Sequence, residues 1–209
     1  MKTMVAIPCL DMINTQFMQS VLNLGFFGQC ELALASGSLI YDARNQLAEK
    51  AVDEGFDRVL WLDSDMTFQP DMFKKFHEDL NEGRDFVSGL YFKRKAPIEP
   101  VIYSKCEETK NEQGRNVPVI ESYRDYPRDS IFDIQACGFG AVMMNTSVIK
   151  KVMDNYGLPF YPAGGFGEDL IFCYRARMQG IPICCDSRIK CGHIGYYTIT
   201  EETYQKGVF

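Results

Sequence analysis

Histidine is almost absent from this chain: two residues in 209, so any imidazole chemistry falls to His77 or His193. Basic charge is also scarce. Lys and Arg number 22 against 28 Asp and Glu, for a net charge of −6 and a pI near 5.0. No broad phosphate-neutralising surface exists, and nucleic acid is not an expected partner, although a local basic pocket stays open. No stretch of about 18 apolar residues occurs, so no transmembrane helix is expected. The opening Met1-Lys2-Thr3-Met4-Val5-Ala6-Ile7-Pro8 is too short and too early broken by proline to read as a secretory signal, and the expectation is a cytoplasmic protein. Paired Cys-x-x-Cys knuckles are missing too. The eight cysteines are scattered; the late group Cys184, Cys185, Cys191 and His193 lacks structural zinc spacing, and reduced buried thiols are expected.

What is present fits one domain, residues 1–209, with 46% hydrophobic and 13% aromatic residues to build a core. Val5 to Cys9 reads as a first strand, Asp11 to Leu34 as a helix interrupted near Gly25, and Ala33 to Ile40 as a second strand. Asp42 is placed to cap a helix from Ala43, with Leu47, Ala48, Ala51 and Val52 on one face and Gly55 at its end. Arg58 to Leu62 is a buried strand, and Asp71 to Leu80 a helix with Phe73, Phe76 and Leu80 inward and His77 on the exposed side. Asp85 to Phe92 is a further strand, running into the basic Lys93-Arg94-Lys95. Four prolines punctuate Ala96 to Arg128, which suggests irregular strands and an exposed hairpin at the mouth of a site. Strands follow at 131–134 and 141–144, then a helix from Asn145 or Thr146 to Gly157 and a glycine-rich loop at 161–167. A helix over 168–179, with Leu170, Ile171, Tyr174 and Met178 inward, and a strand at 181–185 complete the pattern. Strands alternating with helices imply an α/β sheet, whose ligands bind beyond the carboxyl ends of strands.

The most informative segment is Val59-Leu60-Trp61-Leu62 followed by Asp63-Ser64-Asp65. With 15 aspartates in 209 residues, roughly one Asp-x-Asp arises by chance, so the tripeptide gains weight only from its place after a buried strand. There, two acids can hold a divalent cation beside a ribose or phosphate. Gly164-Gly165-Phe166-Gly167-Glu168-Asp169 brings two more acids to a helix start. The macrodipole alone would favour one; two suit a site where one acid orients an acceptor hydroxyl and the other removes its proton. His193, between Gly192 and Ile194-Gly195, is either structural or a metal ligand. Glycines in Cys137-Gly138-Phe139-Gly140 permit a tight turn beneath a ligand or form an ordinary connection. Arg44, expected in a first helical turn where a cation opposes the dipole, should face something anionic such as a diphosphate; Lys93 and Arg94 do the same or form a solvated edge.

In order along the chain, Val5–Pro8, Ala43-Arg44-Asn45, Asp63-Ser64-Asp65, Gly138-Phe139-Gly140, Glu168-Asp169 and His193 resemble the GT-A glycosyltransferases, family 2-like members above all. The likeness spans Val5 to about Gly195. It implies a single-domain GT-A α/β fold, Rossmann-like and of the nucleotide-diphospho-sugar transferase type, with a mostly parallel central sheet and a small accessory β hairpin. It implies Mn²⁺ or Mg²⁺ held by Asp65 and His193, with Asp63 on the ribose or a metal-bound water at the same centre. Pro8, Cys9 and Asp11 would line the base and ribose pocket with Arg44 close by, and Ser64, Gly138 and Gly140 would join the nucleotide site. Asp169 would be the general base of an inverting transfer, and Glu168 its acceptor-positioning neighbour; a retaining reaction is the alternative. The donor would be a UDP-sugar, as the commoner type, or a GDP-sugar. The acceptor is a glycan, lipid or small molecule, its usual binding extension missing or supplied by a partner or a second copy.

Two rival readings use the same residues. Asp63-Ser64-Asp65-Met66-Thr67 fits the Asp-x-Asp-x-Thr of HAD-type Mg²⁺ phosphatases, with Asp63 as nucleophile, but that motif ends the first strand of its domain. A nucleotidyltransferase would want a glycine- and basic-rich loop after the first strand, which Cys9 to Thr15 lacks. A non-catalytic carbohydrate-binding module would have no need of the acids.

Overall fold

The structure, a computed structural model, describes residues 1–37 and 39–195; residues 196–209 of the expected domain lie outside the described residues. The chain opens with β1 (Lys2–Cys9), α1 (Thr15–Leu22), β2 (Gln29–Ser36), α2 (Ile40–Asp53), β3 (Arg58–Leu62), β4 (Met66–Thr67), α3 (Met72–Asn81) and β5 (Phe86–Leu90). An antiparallel hairpin follows, β6 (Ile102–Lys110) and β7 (Asn116–Ser122), then β8 (Ile131–Ile134), β9 (Ala136–Cys137) and β10 (Ala141–Asn145). Helices α4 (Thr146–Tyr156) and α5 (Glu168–Met178) lead to β11 (Ile183–Lys190) and β12 (Gly192–His193).

Seven strands form the central sheet in the order β2-β1-β3-β10-β5-β11-β8. Strands β2, β1, β3, β5 and β11 run one way; β10 and β8 run against them. The sheet is therefore mostly parallel, with the β6–β7 hairpin and β9 forming a small separate sheet. Period-2 alternation assigns each strand residue to one of two cores. Val59 and Trp61 of β3 enter the core beneath α2, α4 and α5, while Leu60 and Leu62 enter the opposite core beneath α1 and α3. Met4 and Ala6 against Val5 and Ile7 repeat the pattern in β1. Each buried Val, Leu, Ile or Met among these stabilises the fold by about 1.5–3 kcal/mol. Trp61, Phe139, Phe160 and Phe172 form an aromatic cluster with ring centroids 4.5–6.0 Å apart, and Phe139 carries that packing to the edge of the site.

The amino-terminal third differs from the sequence expectation. The helix expected over 11–34 is confined to α1, because the Asn14 side chain accepts from the Gln16 amide at 2.8 Å and caps it there. The second strand lies at 29–36 rather than 33–40. Its small Ala33 and Ala35 face inward while Leu32 and Leu34 are exposed, an inversion that hides the strand from a hydrophobic pattern. Helix α2 starts at Ile40 with Leu39 as its cap residue and no side-chain cap, so Asp42 is a first-turn acid, not the cap. Arg44 accordingly sits in the second turn, and the dipole mismatch expected of it does not arise. Gly55 does close α2 in the left-handed region, at φ 66°. His77 is buried, not exposed: its Nδ1 lies 2.7 Å from the Arg58 guanidinium, and its ring packs on Phe73 and Phe27. Burial pushes its pKa down to about 4. In α5 the inward face is Ile171, Phe172, Cys173 and Ala176; Met178, expected inside, is exposed. Strand β11 extends to Lys190, beyond the expected 185.

Candidate active site

Strand β1 is flanked by β2 on one side and β3 on the other, so the chain leaves β1 outward, returns, and crosses to its far side. Such a reversal of strand order opens a crevice at the carboxyl ends. Pro8 and Cys9 end β1, and Asp63-Ser64-Asp65 leaves β3, at the wall of a cavity of about 930 Å³. Asp11, Arg44, Glu168 and Asp169 line the same cavity. Expected nucleotide-binding residues from three stretches of chain (Pro8 to Asp11, Arg44, and Asp63 with Ser64) thus meet the expected catalytic pair Glu168 and Asp169 in one place.

Arg44 organises the acids. Its side chain is 2% exposed, and its Nη2 lies 2.9 Å from Asp63 Oδ1 and 3.1 Å from Asp169 Oδ1. The guanidinium also stands 5.2 Å over the Phe139 ring. Asp63 and Asp169 reach the cavity with 26% and 24% of their side chains exposed. The Phe139 amide donates to Asp169 Oδ2 at 3.2 Å, and the Asp63 amide donates to the Gly140 carbonyl at 3.2 Å. The 137–140 turn therefore holds the Asp169 carboxylate and the Asp63 main chain. Burial pushes the Asp169 carboxyl up to about 7, against the pull of Arg44 and with the help of Asp63 and Glu168. Burial raises Asp63 as well, with Arg44 opposing.

Asp65 faces a different set of partners. The Ile194 amide donates to the Asp65 carbonyl at 2.7 Å, and β12 pairs with β4, His193 opposite Met66. That pairing requires Gly192: a Cβ there would stand 2.4 Å from Thr67 Oγ1. It sets His193 Nε2 3.4 Å from Asp65 Oδ2, while His193 Nδ1 donates to the Phe92 carbonyl at 2.9 Å. A histidine whose Nδ1–H is fixed by a carbonyl presents Nε2 in the manner of a metal ligand. Asp65 also binds Arg94. Burial pushes the Asp65 carboxyl up, but His193 and Arg94 outweigh it and hold the group below the ordinary value; the bond to Asp65 raises His193. Asp65 thus collects positive charge, and Asp65 and His193 are the two side chains here that could hold a divalent cation. The expected trio of Asp63, Asp65 and His193 is not gathered, because Asp63 is turned to Arg44. Among the described residues no group of three or more His, Cys, Asp or Glu is arranged for a metal. All eight cysteines are free; Cys184 and Cys185 face opposite cores.

A second cavity of about 550 Å³ adjoins the first, sharing Asp63, Asp65, Arg94 and Asp169 with it. His193, Tyr91 and Lys93 to Pro97 complete its wall. Gly138 and Gly140 line neither cavity. They lie against Tyr91, where a Cβ on Gly138 would be 2.1 Å from the Tyr91 hydroxyl and one on Gly140 2.8 Å from its ring. The Gly140 amide donates to that hydroxyl at 3.2 Å, and the Tyr91 ring meets His193 edge-on at 5.6 Å. Tyr91 and Lys95 are site residues that sequence reasoning did not name. Nothing marks Tyr91 beyond its place after β5; Lys95 was legible only as part of a basic run. Asp63 ends the third strand in chain order and is tied to Arg44, an arrangement unlike the free nucleophile on a first strand that a HAD-type phosphatase requires.

No family model matches this sequence, and no curated protein matches it. Solved structures do share its fold. A197 from STIV superposes with a TM-score of 0.63 at 18% identity over 96% of this chain and 87% of that one. GalNAc-T7, crystallised with UDP, GalNAc and Mn²⁺, superposes with a TM-score of 0.62 at 10% identity, over 94% of this chain but 43% of that one. The fold of this protein is GT-A: an α/β sandwich around a large, mostly parallel sheet with a small antiparallel hairpin sheet beside it.

Proposed function

We propose that this protein is a metal-dependent glycosyltransferase, family 2-like in the order of its site residues. It would move a sugar from a nucleotide-diphosphate donor to an acceptor hydroxyl. One observation carries the reading: Asp63 and Asp65 from one segment and Asp169 from another line both of two adjoining cavities at the carboxyl ends of β1 and β3. The larger cavity takes the nucleotide, with Pro8, Cys9 and Asp11 beside the base and ribose and Asp63 within reach of the ribose. Asp65 and His193 would hold Mn²⁺ or Mg²⁺, which supplies Lewis-acid neutralisation of charge on the departing diphosphate. Arg44 keeps Asp63 and Asp169 apart in role by pairing with both. Asp169, open to both cavities and raised toward neutrality, takes the proton of the attacking hydroxyl. With Asp169 as the base, the transfer would be a single displacement with inversion. Glu168, next along the helix start, orients the acceptor. GalNAc-T7 with its UDP, GalNAc and Mn²⁺ supports UDP over GDP as the donor nucleotide.

Thermal melts with UDP and GDP, each with and without Mn²⁺ or Mg²⁺, test this directly. UDP should raise the midpoint by several degrees only when the metal is present, and Asp65→Ala should abolish the shift. Stabilisation by UDP alone, unchanged in Asp65→Ala, would remove the metal from the reading. No response to any nucleotide would remove the transferase.

A further inference from the structure

The second cavity has more cationic side chains on its wall than its acids need. Asp63 and Asp169 are matched by Arg44, and Asp65 by Arg94 and His193. Lys93 donates to Glu99 at 2.7 Å, and Glu99 also takes Arg124. Lys95 is exposed and makes no ion pair among the described residues, yet it lines the cavity beside Lys93 and Arg94. Of these three consecutive cations Lys95 alone has no counter-charge among the described residues, and an entering anion would supply one. Lysine and arginine together suit a phosphate or similar oxyanion, one as a point charge and the other as a fork.

The position of the run separates it from the donor. Of these three residues only Arg94 reaches the larger cavity; Lys95 lines the second, and Lys93 lines the second and a further cavity beside Glu99 and Arg124. Asp169, one of three acids that line both cavities, shares the wall of the second with them. We propose that this cavity binds an acceptor carrying an anionic group, a phosphate or comparable oxyanion, which Lys95 and Arg94 hold so that a neighbouring hydroxyl meets Asp169. The proposal rests on the transferase reading for the word acceptor; the anion site itself does not.

Calorimetric titration of glucose 6-phosphate and of glucose into protein saturated with UDP and Mg²⁺ tests it, for the unaltered chain and for Lys95→Ala and Lys95→Arg. Lys95 is exposed, so these variants should fold. Glucose 6-phosphate should bind at least tenfold more tightly than glucose. Lys95→Ala should weaken the sugar phosphate at least fivefold more than it weakens UDP, and Lys95→Arg should recover most of the loss. Equal affinity for the two sugars, or no binding of either, would overturn the proposal. So would a Lys95→Ala variant that loses UDP as strongly as the phosphate, since the run would then serve the donor. If UDP itself does not bind, the transferase reading fails, and the same titration without nucleotide still decides on the anion site.

Discussion

At the scale of single residues, Arg44 and Asp169 show how burial and pairing divide labour among like groups. Asp63 and Asp169 share one guanidinium within 3.1 Å, and two carboxylates on one cation titrate as a linked set. Desolvation dominates for Asp169, whose carboxyl rises to about 7. A base must be ionised to accept a proton, so transfer should be slow at acid pH. The rate should rise about tenfold per pH unit up to roughly pH 7 and level above it. Asp169→Asn should lose activity by about 10² or more at all pH values while still binding UDP. A wild-type rate flat from pH 5.5 to 8, or a variant near full turnover, would take Asp169 out of the base role.

At the scale of elements, the β9–β10 connection is a shaped support. Its two glycines leave the volume that the Tyr91 ring fills, and Tyr91 in turn backs His193. Gly138→Ala puts a methyl group where the Tyr91 hydroxyl stands, 2.1 Å away. Forcing a group into a filled interior costs about 1–3 kcal/mol, or roughly 2–10 °C in midpoint for a chain of this size. Tyr91 should move, its bond to the Gly140 amide should break, and metal-dependent UDP binding should weaken with it. A thermal melt and a UDP titration on the variant check both effects; an unchanged melt would mean the ring has room to relocate.

At the scale of the whole molecule, α3 is tied to β11 by a buried acid pair under one arginine. Arg188 reaches Asp186 Oδ1 at 2.8 Å and Asp79 Oδ1 at 2.9 Å, and both acids are at most 1% exposed. Burial pushes Asp79 up to about 7, with Asp186 adding to the rise. Below pH 4 the group is protonated in folded and unfolded chains alike. As pH rises toward 7 the unfolded chain sheds its proton first, so the contribution of this group to stability declines across that window and is gone above it. Asp79→Asn should therefore melt about 3 °C or more above the unaltered protein at pH 8, with the gain vanishing toward pH 4. A constant difference at every pH would show that the Asp79 carboxyl is not raised in the native state.

By itself the sequence determined the strands that are buried on both faces and the acids that follow them. Arg58–Leu62 and its aspartates, the 168–178 helix start and the 141–144 strand were all legible, because continuous apolar runs and acids at element ends are local patterns. The 96–128 hairpin was legible from its prolines and its polar tip. Only tertiary structure could decide that β2 turns its leucines outward, since that depends on α2 lying over the alanines. It also decided that His77 is enclosed, by Phe27 from another loop and Arg58 from β3 besides Phe73 of its own helix. Pairing was equally invisible: Arg44 binding Asp63 and Asp169 across 19 and 125 positions, and Arg94 binding Asp65, are contacts between segments that meet only when the sheet closes. Residue type restricts which partners are chemically possible; the strand order of the sheet selects among them.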